Sequence, residues 1–116
     1  MGTYTEAGNV SDFPEGIPKK VIAEGQEILL AQVDGKYYAV SNRCPHLNGK
    51  LSEGKLEGTI ITCPEHFSQF DISNGSVVRW LKGSGLMASI VKTVRQSKTL
   101  NTYPVKVEDD IVFIEV

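Results

Sequence analysis

Both cysteines and both histidines of this chain fall in two short segments, Cys44-Pro45-His46 and Cys63-Pro64-Glu65-His66, with sixteen residues between them. In each segment a thiolate and an imidazole are close enough to project from one loop, and Pro45 and Pro64 stiffen those loops by fixing a backbone angle. Two thiolates and two imidazoles can close a tetrahedral zinc site. They can equally hold the two irons of a [2Fe–2S] cluster, cysteines on one iron and histidines on the other. Zinc fingers with this donor set pair like with like, whereas here each half contributes one of each, which suits two chemically distinct irons. Taken singly, each cysteine reads as a buried apolar filler and each histidine as a hydrogen-bonded surface residue. A joint pattern that uses every Cys and His in the chain argues against that reading.

The rest of the composition bounds the setting. At 116 residues, the chain has room for one domain, expected to span 1–116. Apolar residues at 41% and charged residues at 22% exclude a disordered or fibrous chain. A net charge of −2 gives no reason to expect nucleic acid or an anionic membrane as partner. No segment approaches the ~20 apolar residues of a membrane span. The opening Met1-Gly2-Thr3-Tyr4-Thr5-Glu6-Ala7-Gly8-Asn9 lacks the basic and apolar regions of a secretory signal. The expectation is a soluble, cytoplasmic protein, in which cysteines serve as ligands more readily than as a disulfide.

Short strands dominate the pattern. Gln26 to Val33 and Lys36 to Val40 flank the turn signal Asp34-Gly35. Leu56 to Thr62 reads as one strand running into Cys63. Gln69 to Ile72 and Val77 to Trp80 flank Asn74-Gly75, and Tyr103 to Val107 and Ile111 to Val116 flank Glu108-Asp109-Asp110. Three hairpins predict an all-β, antiparallel sandwich or barrel. One segment differs: Leu86, Met87, Ile90, Val91 and Val94 fit the apolar stripe of a short helix near 86–96. It reads as an amphipathic cover for the sheet, or alternatively as a basic surface for an acidic redox partner.

Asn42-Arg43-Cys44-Pro45-His46, Leu51-Ser52-Glu53-Gly54 and Cys63-Pro64-Glu65-His66, followed by Phe70-Asp71 and Asn74-Gly75, resemble the Rieske-type [2Fe–2S] ferredoxins. The resemblance covers roughly residues 20 to 80 and the closing hairpin. It implies three stacked antiparallel sheets, with a two-loop cluster-binding subdomain at about 42–83 inserted in a basal β domain. It also implies one [2Fe–2S] cluster, with Cys44 and Cys63 on the inner iron and His46 and His66 on the outer, solvent-facing iron. Ser68 matches a serine that donates a hydrogen bond to the cluster, while Phe70 stands where the family's respiratory members place a donating tyrosine. One hydroxyl of two implies a potential toward the low end of the Rieske range, roughly −150 to +300 mV. Departures concern loop geometry: Phe67 and Asn48 occupy positions usually glycine, the third loop around Gly83-Ser84-Gly85 lacks its common proline, and the segment after it resembles an insertion. The respiratory members' additional cysteine pair has no counterpart, and no membrane anchor is expected.

The implied function is one-electron transport from a flavoprotein reductase to a terminal oxygenase or other acceptor, with no catalytic acid–base pair in the chain itself. The alternatives are a small Rieske-like subunit held in a larger reductase, and a zinc-stabilised interaction module.

Overall fold

The computed structural model describes residues 3–43, 49–64, 68–79 and 100–116. Eleven strands form three antiparallel sheets among these residues. β1 (Tyr4–Asn9), β10 (Val105–Glu108) and β11 (Ile111–Glu115) make a base sheet in the order β1-β11-β10. β2 (Lys19–Ala23), β3 (Gln26–Val33), β4 (Lys36–Ser41) and β9 (Thr102–Tyr103) make a second sheet in sequence order. β5 (Lys55–Glu57), β6 (Ile60–Thr62), β7 (Gln69–Asp71) and β8 (Val77–Arg79) make a third, upper sheet. The all-β, stacked-sheet expectation is met.

The second sheet is the middle layer, and β3 shows why. Alternate side chains of a strand point to opposite faces. Leu29, Ala31 and Val33 of β3, with Val40 of β4, pack against Leu51, Ile61, Phe70 and Ile72 on the upper side. Ile28 and Leu30, with Ala23 and Ala39, pack against Phe13, Val112 and Ile114 on the base side. A strand buried on both faces needs a continuous apolar run rather than an alternating one, which is what Ile28-Leu29-Leu30-Ala31 supplies. Full burial of each large aliphatic side chain contributes about 1.5–3 kcal/mol, so the middle strand is the principal apolar support of both layers.

The hairpins at Asp34-Gly35 and Asn74-Gly75 form as expected, and two other readings are corrected. Leu56 to Thr62 is not one strand: Glu57 pairs with Ile60 across a turn in which Gly58 has φ 59°, so β5 and β6 fold back on each other. The Tyr103 strand divides at Pro104. β9 before it pairs with β4 in the middle sheet, and β10 after it pairs with β11 in the base sheet. Proline has no N–H to continue a ladder, so the chain changes sheets there. β1 and β2 lie outside the three hairpins read from the sequence. The helix expected near 86–96 lies outside the described residues.

Candidate metal centre

Two loops rise from this framework, and the structure shows what holds their bases. The first leaves the end of β4. The β3–β4 ladder runs one step past its last strand pair, because Asn42 N–H donates to the Glu27 carbonyl at 3.1 Å. The chain returns through an isolated antiparallel bridge between Arg43 and Lys50, then a 3-10 turn at Leu51–Glu53. Asn42 is completely buried and serves both limbs. Its carbonyl accepts Leu51 N–H at 2.8 Å, and its side-chain Oδ1 accepts Ser52 N–H at 2.7 Å. A buried amide is costly unless bonded, and here its bonds tie the loop's two ends together.

Glu27 supports the same place from β3. Its Oε2 meets the Arg43 guanidinium at 2.7 Å, and its Oε1 lies 3.5 Å from Asn42 Nδ2. The Arg43 hydrogen bond holds the Glu27 carboxyl below the usual carboxylate range, against partial burial, with further help from Asn42 and Lys20. Neither Glu27 nor the ties of Asn42 are visible as a sequence motif.

The second loop is the connection between β6 and β7. Cys63 N–H donates to the Ser68 carbonyl at 2.8 Å, and the Gln69 amide donates to Thr62 Oγ1 at 3.1 Å just below. Cys63 is fully buried at the top of the upper core, beside Ile61 and Phe70. Ser68, the partner across the loop base, is also fully buried. The two loops are brought together at Gly54, where a side chain would fall on the Thr62 carbonyl. Only a glycine permits the first loop's return to lie against the backbone leading into Cys63.

Of the residues singled out in the sequence, Cys63, Ser68 and Phe70 are described, and all three are buried in one neighbourhood. Cys44, His46 and His66 lie outside the described residues, as do Asn48 and Phe67. The described part fits a [2Fe–2S] cluster. It offers a shielded cysteine sulfur at the end of a strand, and a buried serine two residues beyond a histidine. Its two loops are closed at their bases by main-chain bonds.

The chain matches the Rieske [2Fe-2S] domain family over residues 3–104. It therefore belongs to that family, and its cofactor is one [2Fe–2S] cluster. Within the family it aligns with carriers. It is 35% identical over 113 residues to the ferredoxin component of the naphthalene 1,2-dioxygenase system of Pseudomonas putida, covering 97% of this chain and 95% of the relative. Among solved structures, the ferredoxin of Sphingomonas yanoikuyae B1 superposes with a TM-score of 0.77 at 30% identity, covering 98% of this chain and 99% of the other. A chain of the complex of reduced oxygenase and oxidized ferredoxin in carbazole 1,9a-dioxygenase shares the fold, with a TM-score of 0.78 at 23% identity over 99% of this chain and 94% of that one. The protein is an electron-transfer ferredoxin, not a catalytic component. Among the described residues no helix is long and apolar enough to cross a membrane.

Proposed function

We propose that this ferredoxin carries single electrons from a flavoprotein reductase to the terminal oxygenase of an aromatic-ring dioxygenase system in the cytoplasm, with Cys44, His46, Cys63 and His66 as the cluster ligands. The cluster supplies a one-electron couple at two inequivalent irons, and the chain supplies its shielding and its exposure. In this reading Cys44 and Cys63 bind the inner iron and His46 and His66 the outer one. Ser68 donates to a cluster sulfur. The upper sheet and its two loops, about residues 42–83, form the cluster-binding subdomain of a single domain spanning 1–116.

The observation that carries the assignment is the burial of Cys63 at the closed base of the β6–β7 loop, with Ser68 opposite it. Soft thiolates prefer iron–sulfur chemistry, and a hydroxyl is a far poorer substitute. The test is iron and sulfide content with the EPR spectrum of the dithionite-reduced protein, for wild type and for Cys44→Ser, His46→Ala, Cys63→Ser and His66→Ala. Each variant is expected to lose the wild-type signal. A full iron and sulfide complement with an unaltered spectrum in any one removes that residue from the ligand set. Electron delivery is tested separately, by reducing the carrier and following reoxidation by a purified aromatic-ring dioxygenase oxygenase. Reoxidation no faster than by buffer alone removes the oxygenase as acceptor.

A further inference from the structure

Glu27 stands seventeen positions before Cys44 in the sequence, outside both cysteine–histidine segments, yet it touches the base of the first loop at three points. Its carboxylate holds Arg43 at 2.7 Å and lies 3.5 Å from Asn42 Nδ2, and its carbonyl receives Asn42 N–H at 3.1 Å. The ion pair is half-shielded, with side-chain exposures of 36% for Arg43 and 26% for Glu27. A freely solvated pair of this kind contributes little. This one differs because Arg43 directly precedes Cys44, and because Asn42, the residue before Arg43, is fully buried and bonded to both limbs of the loop. Glu27 itself sits on β3, the strand buried on both faces at the centre of the molecule.

We infer that Glu27 is a positioning residue for the cluster, fixing Arg43 and so the chain leading into Cys44 to the rigid middle sheet. The inference rests on Cys44 being a ligand. Partners that orient ligands from outside the coordination sphere are worth about 10–100-fold in metal affinity when removed. Glu27 has a second, electrostatic consequence. Its negative charge offsets that of Arg43 near the cluster, so removing it leaves a positive charge that favours the reduced state.

The test uses holoprotein. Bleaching of the visible absorption by an iron chelator is timed for wild type, Glu27→Ala, Glu27→Gln, Arg43→Glu and the exchanged pair Glu27→Arg/Arg43→Glu, with the midpoint potential measured for each. Glu27→Ala and Arg43→Glu are expected to bleach about tenfold faster or more, and the exchanged pair to recover most of that loss. Glu27→Gln, which keeps an acceptor for the guanidinium, is expected to bleach more slowly than Glu27→Ala. Its midpoint is expected to rise, and to rise less at high salt because exposed charges are screened. Bleaching of Glu27→Ala within about twofold of wild type, far below the range for such partners, overturns the inference. An exchanged pair no better than the single variants does the same. Should Glu27→Ala not fold, Glu27→Gln decides alone, and a midpoint unchanged at low salt counts against the role. Cys44→Ser, run in parallel, separates the two readings. A cluster retained there defeats the ligand assignment, whereas a cluster lost there with normal Glu27 variants defeats only the positioning role.

Discussion

Ser68 and Asn42 are the buried polar side chains among the described residues, and each stands at the base of one loop. On the proposed ligation the Ser68 hydroxyl donates to a cluster sulfur, which becomes a stronger acceptor once reduced. Ser68→Ala should therefore lower the midpoint potential. A hydrogen bond to a charged group is worth about 1.5–3 kcal/mol, of which only the part gained on reduction counts. A tenfold change in a one-electron equilibrium is about 59 mV, so a fall of several tens of millivolts is expected. A midpoint that stays within about ten millivolts of wild type, well under that scale, denies the bond. Phe70→Tyr is the complementary change. Its ring is completely buried in the upper core near Cys63, and an added hydroxyl that reaches a sulfur should raise the potential. Without an acceptor it costs about 1–3 kcal/mol and leaves the potential unmoved, so thermal unfolding and voltammetry together read the outcome. Cys63 was legible in the sequence through its spacing to His66, and Ser68 through the family resemblance alone. Glu27 was not, because its meeting with Arg43, sixteen positions away, exists only through the register of β3 against β4.

At the scale of elements, the site depends on turns more than on strands. Gly54 has an ordinary extended backbone, φ −88° and ψ −162°, so alanine there is conformationally tolerable. Its Cβ would still overlap the Thr62 carbonyl, and Thr62 leads directly into Cys63. Gly54→Ala should destabilise the protein by about 1–3 kcal/mol, as overpacking does, and should hasten loss of visible absorbance. An unfolding midpoint and bleaching rate equal to wild type would show that the loops separate without cost. The β7–β8 turn makes a pH prediction. Burial raises the Asp71 pKa, but bonds from the Ser73 hydroxyl at 2.6 Å and the Ser73 N–H at 2.9 Å, with one from Thr59, prevail and lower it. A lowered folded-state pKa means stability present above the unfolded value, about 3.9, and lost as pH falls through the folded one. Asp71→Asn should accordingly flatten the decline in stability below about pH 4, checked by urea unfolding across that range. Turn chemistry also explains which elements could be read in advance. Asp34-Gly35 and Asn74-Gly75 announce hairpins, but Leu56 to Thr62 conceals one, because β5 and β6 are only three residues each and Gly58 is easily passed over inside an apolar run. Tyr4–Asn9 lacks a clear alternation, and its pairing with β11 joins opposite ends of the described chain.

Across the whole molecule, the two apolar cores divide the labour. The base-side core, built from Ile28, Leu30, Ala39, Val112 and Ile114 with Phe13, contains no residue of either loop among the described residues. The upper-side core includes Leu51 and Cys63, which belong to the loops themselves, together with Ile61 and Phe70 of the short strands below them. Metal binding is folding free energy for the segments it organises, so removing the cluster should act unequally on the two layers. The loop-base bonds at Leu51, Ser52 and Cys63 close short connections whose inward support includes Cys63. The β3–β4 and β10–β11 ladders are instead held by long pairings with apolar faces already buried. Amide exchange reports such local differences, because opening energies range from near zero at frayed segments up to the global value in core strands. In apoprotein prepared by acid and chelator, then returned to neutral pH, the amides of Leu51, Ser52 and Cys63 should lose most of their protection. Those on β3 and β11, among them Leu30 and Ile114, should keep it. Restoring iron and sulfide should return the loop amides to holoprotein rates. Uniform loss across all three sheets would mean that the base cannot stand without the cluster, and uniform retention would mean that the loops are built without it.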